Sequence, residues 1–65
     1  MVLVKVPIRT WTTKEGNAEV QHVAPDVNVG FALTDINTEE GWAIIEIYDH
    51  DLPKIPKEKI IEVIK

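Results

Sequence analysis

The 65-residue chain contains neither cysteine nor serine, and each absence excludes a class of protein. Without cysteine there is no disulfide framework, no thiolate zinc site and no thiol nucleophile. Without serine there is no Ser-His-Asp triad and no other serine-based acyl transfer. Long apolar runs are missing as well, since the run from Trp42 to Ile45, for example, is far too short to cross a bilayer.

The first residues carry no pattern of export or membrane insertion. Lys5 interrupts a short run of β-forming residues, and no small-residue cleavage site follows it, so the pattern of a signal peptide is not met. A chain of this length is one domain. We therefore expect residues 1–65 to form a single small domain that is cytoplasmic and has no membrane partner.

Leucine and aromatic residues are scarce, whereas β-branched aliphatic residues are abundant. The chain has three leucines and four aromatic residues, against nine isoleucines and eight valines. Isoleucine and valine favour the pleated, half-buried surface of a sheet over a helix. The composition therefore predicts a β-rich fold, and its low Ser and Cys content with abundant Lys, Glu and Ile is also typical of thermophile proteins.

The small size of the chain limits the core that it can bury. At this mass a folded monomer exposes roughly 4,200 Å² and buries about 61% of its unfolded surface. If about 60% of the buried surface is apolar, its burial at ~25 cal/mol/Å² contributes roughly 98 kcal/mol, and ordering the chain costs about 97 kcal/mol. Because these free energies cancel, we expect the fold to need unusually good packing, a metal or a partner, and self-association is the simplest of these.

Alternation of apolar and polar residues predicts four strands. They cover residues 2–12, 18–24, 27–33 and 42–48, with turns at residues 12–17, 25–26 and 37–41. The last of these strands is apolar on both faces, which is typical of a central strand. Pro7 cannot donate a hydrogen bond, so the first strand is expected to lie at an edge or to contain a bulge.

The residue pattern of the C-terminal segment, residues 56–65, predicts a helix. Pro56 suits the first helical turn, and the apolar residues of the segment fall within an arc of about 160° at the helical step. A fifth strand is the alternative, since β-branched residues are poor helix formers. We therefore predict an α+β fold, in which an antiparallel β-meander of about four strands packs one face on a C-terminal helix. The alternative fold is a five-stranded small β-barrel.

Charge is divided unevenly along the chain. Residues 1–14 carry three bases and no acid, residues 15–51 carry nine acids and no Lys or Arg, and residues 52–65 carry four lysines and two glutamates. The net charge is −4. One interpretation is an acidic surface for a basic partner or a cation. The other is that the basic first strand lies beside an acidic strand, of this chain or of a second copy.

Asp49, His50 and Asp51 form the only local cluster of metal-ligand types, and carboxylate oxygen with imidazole nitrogen suits several divalent ions. Adjacent residues of an extended chain point in alternating directions, which favours a solvated loop instead. His22 is expected to be half-buried and hydrogen-bonded, or to act as a pH-sensitive group at an interface. No pair of carboxylates lies in an apolar setting suited to acid–base catalysis, so we expect no enzymatic activity and no cofactor.

Lys5, Arg9 and Trp11 share one face of the first strand. A basic strand that carries an aromatic residue is how small barrels stack the bases of nucleic acid. Binding of single- or double-stranded nucleic acid is therefore the alternative function. The net charge of −4 opposes it, because affinity for phosphates comes from the counterions that a basic surface releases.

The remaining apolar side chains indicate a surface for self-association. If the first and last strands pair, one side of the sheet carries Trp11, Trp42, Ile44 and Tyr48. One short helix cannot cover both sides, and an exposed patch of this kind marks an interaction surface. We expect a non-catalytic module that forms a homo-oligomer, a dimer or larger, or binds a protein partner through these residues. The other interpretation is that they lie at sheet ends among polar neighbours.

Overall fold

Antiparallel strands account for most of the ordered elements of the protein. The computed structural model describes all residues from Met1 to Lys65. The strands are β1 (Val2–Glu15), β2 (Ala18–Pro25), β3 (Ala32–Asn37), β4 (Trp42–Ile47) and β5 (Glu62–Val63). Two 3₁₀ segments, Asp49–Lys54 and Lys57–Lys59, lie between β4 and β5. The prediction of an antiparallel, β-rich fold is confirmed.

β1 is a central strand whose two halves pair with different partners. Residues 2–7 pair with β4, and residues 8–15 pair with β2. The order across the sheet is β2-β1-β4-β3, with β5 pairing with Val4 and Lys5. The prediction of a sequential meander is wrong, because the chain returns after β3 and places β4 beside β1. The sheet is a curled half-barrel whose end strands β2 and β3 do not pair, so the alternative of a closed five-stranded barrel does not form.

Pro7 lies at the point where β1 changes partners. The carbonyls of Leu3 and Lys5 accept hydrogen bonds from the C-terminal segment, and the Pro7 carbonyl accepts one of 2.9 Å from Asp26 N–H. β5 and β2 therefore occupy the same edge of β1, one after the other, and Pro7 stands at the junction. The prediction that Pro7 confines the strand to an edge or a bulge is wrong, because at this junction its missing N–H interrupts neither ladder.

Alternate side chains of β1 and β4 build the core on one face of the sheet. Val4 pairs with Ile45 and Val6 with Ala43, and none of the four is accessible to solvent. Ile55 packs on them from the segment that follows the first 3₁₀ turns. Ile47 completes the core, and the partly buried side chains packed against it are Val2, Ile8, Val27, Val29, Ile36, Leu52 and Ile60.

The predicted helix over residues 56–65 does not form, and the predicted α+β class is wrong because the only helical elements are two 3₁₀ segments. The segment contains a short 3₁₀ turn and ends as β5, where Leu3 N–H donates to Lys65 C=O at 2.7 Å and Ile64 N–H donates to Leu3 C=O at 2.8 Å. β-Branched residues make so short a helix unstable, and the edge of β1 offers backbone hydrogen bonds instead. The alternative of a fifth strand is the one that forms. No helix of the protein is long and apolar enough to span a membrane.

The strand predicted over residues 27–33 is displaced along the chain. Val27 to Phe31 forms a connection that bends over the core, and β3 begins only at Ala32. Val27 and Val29 both pack against the core cluster. Their alternation therefore reflects packing of a loop on the core rather than pairing in the sheet.

Residues 9–24, here called the arm, project from the body as a two-stranded hairpin. The molecule measures 42 × 21 × 20 Å, and its radius of gyration of 13.1 Å exceeds the roughly 10.7 Å expected for a compact chain of this length. No residue of the arm is fully buried. A hairpin with no layer packed on it is at most marginally stable in water. The arm is therefore the part of the fold that most needs a further contact.

A tight turn at Gly16 and Asn17 closes the arm. The turn predicted over residues 12–17 is too long, since β1 continues to Glu15 and β2 begins at Ala18. Gly16 has a φ of +62° and is the first of the two loop residues, which is the glycine position of a type II′ turn. The turn depends on glycine here because an L residue at this φ brings its Cβ against the following carbonyl.

Replacing Gly16 by alanine is expected to destabilise the arm by about 1 kcal/mol. Gly30→Ala is the control, because Gly30 has no positive φ and no atom lies within 4 Å of an added Cβ. Hydrogen exchange of the arm amides measures both variants, and we expect faster exchange only with Gly16→Ala. Equal protection of the arm in the two variants would contradict the turn assignment.

Candidate functional site

The face of the sheet opposite the core, here called the outer face, carries most of the side chains singled out in the sequence. The register places Lys5 opposite Ile44 and Pro7 opposite Trp42. Side chains alternate along a strand, so these residues share a face that excludes Val4 and its neighbours in the core. The outer face comprises Lys5, Arg9 and Trp11 of β1 and Trp42, Ile44 and Glu46 of β4.

Two contacts between a cation and an aromatic ring lie along the outer face. Lys5 Nζ is 4.6 Å from the ring centroid of Trp42, and the central guanidinium carbon of Arg9 is 5.2 Å from that of Trp11. Exposed contacts of this kind contribute about 0.5–1 kcal/mol. They hold both indoles against the sheet, so the aromatic surface is largely preformed.

Each tryptophan also has a second neighbour. Trp42 Nε1 donates a hydrogen bond of 2.7 Å to Glu40 Oε2. The ring of Trp11 stacks on His22 with centroids 5.2 Å apart, and His22 Nε2 lies 2.7 Å from Thr13 Oγ1. His22 is half-buried and hydrogen-bonded, which confirms that prediction. Trp11 is 42% exposed and Trp42 is half-buried, so both retain area for a partner.

The four residues predicted as an interface are spread along the length of the molecule. Trp42 and Ile44 lie at the middle of the outer face and are half-buried, whereas Trp11 lies on the arm. Tyr48 follows the end of β4 and stacks on His50 with centroids 5.4 Å apart. Along β1, about ten residues or roughly 30 Å separate the level of Tyr48 from Trp11. Only an extended partner could contact all four.

The three residues predicted to bind nucleic acid, Lys5, Arg9 and Trp11, lie in one row on the outer face. Carboxylates lie beside that row, because Glu46 shares the face and Glu40 is bonded to Trp42. Base stacking combines an open ring with a positively charged groove, and phosphate binding weakens as negative charge accumulates. The row is therefore aromatic but of mixed charge.

Asp49, His50 and Asp51 lie in the first 3₁₀ segment, and the three side chains do not meet at one point. Asp49 Oδ1 is 3.1 Å from the amino nitrogen of Met1. The buried Asp51 has its Oδ1 3.2 Å from Lys54 Nζ and 3.5 Å from His50 Nε2. No group of three or more His, Cys, Asp or Glu side chains in the protein is placed to hold a metal ion.

The basic β1 does lie beside acidic residues of neighbouring strands. Lys14 is opposite Glu19 on β2, and Lys5 is opposite Glu62 on β5. Cross-strand pairs of opposite charge contribute about 0.2–1 kcal/mol each. The prediction that the first strand neighbours an acidic strand is confirmed. Arg9 is the exception, because no acidic residue of its own chain lies opposite it.

Sequence reasoning missed the edge of β1 that runs along the arm. Beyond Pro7, β1 has β2 on one side and no strand on the other. Residues 9–15 are exposed. The sequence feature that could have indicated this edge is the set of threonines among residues 10–13, which suit an extended and solvated strand. Alternation alone does not reveal which edge of a strand is paired, so the signal could not be interpreted without the strand order.

Comparisons of the chain with protein-family models, with curated proteins and with solved structures found no match. Function is therefore inferred from the outer face and the arm.

Proposed function

We propose that the protein is a non-catalytic module that forms a homo-oligomer, with the arm and the adjoining outer face as its contact surface. The observation that carries this proposal is the arm, which extends from the body with neither face covered and no residue fully buried. Two strands alone are marginally stable, and a third strand or a packed layer stabilises them. A second copy of the chain supplies that contact.

The balance of buried and exposed apolar surface supports the proposal. The core contains six fully buried apolar side chains, and the accessible surface is 4617 Å². A compact monomer of this mass exposes roughly 4,200 Å². Part of the excess is apolar surface of the arm, where Trp11 is 42% and Val23 is 38% exposed.

Nucleic-acid binding through Lys5, Arg9 and Trp11 is the second candidate, and their alignment in one row favours it. The charge of the surroundings favours the first candidate instead. Glu46 lies on the same face, Glu40 is bonded to Trp42, and the whole chain has a net charge of −4. Counterion release therefore contributes little here, whereas a protein surface accommodates mixed charge around tryptophan readily.

Light scattering of the full chain at about 100 µM tests the proposed function, because self-association depends on protein concentration. We expect a particle of at least twice the 7.4 kDa protomer mass. The mass should fall on dilution, and the dilution series gives the dissociation constant against which variants are compared. A particle of 7.4 kDa at the highest concentration would rule the proposal out.

A further inference from the structure

We propose that the free edge of β1, residues 8–15, pairs with the same edge of a second copy, so that the two arms form one four-stranded antiparallel sheet. The two-fold axis passes through Thr12. This inference rests on the proposed function and names the site and the register of the contact. It follows from three features of the arm: the state of each sheet edge, the direction of the backbone groups and the length of the free edge.

The edges of β3 and β5 are poor sites for strand pairing, and the edge of β2 is limited at one end. β5 has two residues, β3 is interrupted by a β-bulge between Leu33 and Asp35, and β2 ends at Pro25, which has no N–H. Short strands, bulges and proline are the features that prevent edge pairing. The edge of β1 over residues 8–15 contains no proline, glycine or bulge. The outer edge of β2 is also regular over residues 18–24, but β1 carries two charges, on Arg9 and Glu15, that face no opposite charge in their own chain and that a second copy can pair.

The alternation of the backbone determines which groups on this edge are free. Leu3, Lys5 and Pro7 direct their carbonyls toward the edge that β5 and β2 share. Even-numbered residues of β1 therefore direct N–H and C=O toward the opposite edge. β4 covers this opposite edge only as far as Pro7 of β1. Beyond Pro7, the backbone groups that point to the uncovered edge belong to Ile8, Thr10, Thr12 and Lys14. None of the loop and turn hydrogen bonds of the chain reaches them.

Symmetry and length then select one register. The free backbone groups of the even-numbered residues must meet across the pair. An even-numbered residue therefore faces an even-numbered residue of the second copy, and the two residue numbers add up to an even number. If the numbers of facing residues added up to 22, Glu15 of the second copy would face Pro7, but Trp42 already pairs with Pro7 on that edge. If these numbers added up to 26, Arg9 would face the turn of the second copy, and fewer residues of the two strands would pair. A sum of 24 pairs residues 9–15 of both copies, and Thr12 faces Thr12.

Charge complementarity supports this register. Arg9, which has no acidic residue opposite it in its own chain, faces Glu15 of the second copy, and the two-fold axis repeats the pair. The tip of the second arm ends beside Ile8, next to Trp42 on the outer face. The two Trp11 side chains lie on the same face of the joined sheet, within the diagonal reach of about 7–8 Å between strands.

Single-cysteine variants test the register, because the chain has no other cysteine. Hydrogen-bonded facing residues have Cα atoms about 5.5 Å apart, which suits a disulfide. We expect Thr12→Cys to give a covalent dimer under mild oxidation. Thr13→Cys is the control, since its two Cα atoms would lie about 8 Å apart, beyond disulfide reach. Equal crosslinking of the two variants, or none with Thr12→Cys, would overturn the register.

Proline variants test the edge without any covalent bond. Thr12→Pro removes an N–H that points to the free edge and leaves the pairing with β2 intact. We expect the dissociation constant of the dimer to rise roughly 10- to 100-fold, because two intermolecular hydrogen bonds are lost. Gln21→Pro is the control, as Gln21 lies opposite Thr12 and its N–H points to the outer edge of β2.

The outcomes separate this inference from the proposed function. A wild-type monomer in light scattering refutes both. A wild-type dimer that Thr12→Pro leaves intact, or that Gln21→Pro weakens as strongly, refutes the edge of β1 as the contact and leaves the proposed function standing. A dimer weakened by Thr12→Pro alone, and crosslinked by Thr12→Cys alone, is the result that the inference requires.

Discussion

Replacing Ile45 by alanine is expected to lower the free energy of unfolding by about 2–5 kcal/mol. Ile45 is fully buried at the centre of the core, where it pairs with Val4 of β1. A domain of this size has a total stability of about 3–10 kcal/mol. With only six buried apolar side chains, few neighbours can move into the space that the lost atoms leave. The variant should therefore be substantially unfolded at about 25 °C.

Leu33→Ala is the matched control for this prediction. Leu33 faces Ile45 across the β3–β4 pair, but it is 51% exposed, so truncating it should lower stability by less than about 1 kcal/mol. Urea unfolding followed by tryptophan fluorescence measures both variants. The protein concentration is held fixed, because the proposed dimerisation would add to the apparent stability. If the two substitutions had equal effects, the core would not lie where the structure places it.

Replacing Trp42 by glutamate is expected to raise the dissociation constant of the homo-oligomer about 30-fold or more, since a buried tryptophan at an interface contributes at least about 2 kcal/mol. The change removes the contact with Lys5 and places a carboxylate close to Glu40, on the face that also carries Glu46. Trp42 is only half-buried within the protomer. We therefore expect the fold to survive while the assembly is lost, as measured by light scattering over a dilution series.

Ile61→Glu introduces the same charge at an apolar residue away from the outer face. Ile61 is 53% exposed in the C-terminal segment, and its backbone N–H donates to Lys5 C=O whatever its side chain. This variant should associate like the wild type. Glu40→Lys is less suitable as a control, because Glu40 accepts the hydrogen bond from Trp42 Nε1. If Ile61→Glu weakened assembly as much as Trp42→Glu, the contact would not include Trp42 on the outer face.

Two strands of the sheet were predictable because their side chains are confined to two environments. Val4 and Val6 alternate with Lys5, and only an extended chain sends such neighbours to opposite sides. β4 is apolar at Ile44 as well as at Ile45, which predicted a central strand, and it lies between β1 and β3. The pairing of Lys5 with Ile44 also places the predicted outer-face residues on one side of the sheet.

Other elements could not be predicted because their conformation depends on partners distant in sequence. Ile60 to Ile64 fit the apolar arc of a helix, but the segment extends as β5 because β1 has a free edge beside it. Val27 and Val29 alternate like a strand, yet they cover the core as a loop. The local pattern of apolar residues shows which side chains are to be buried, but it does not show which other segments of the chain cover them.

Composition and alternation thus predicted a β-rich chain and the faces of β1 and β4. The strand order, the change of partner at Pro7 and the projection of the arm arose only when distant segments met. The physical reason is that side-chain periodicity relates neighbours a few residues apart, whereas the edges of β1 form hydrogen bonds with segments as distant as Lys65, which bonds to Leu3. The free edge at Thr12 is the part of β1 that none of these segments covers, and the sequence of a single strand could not reveal it.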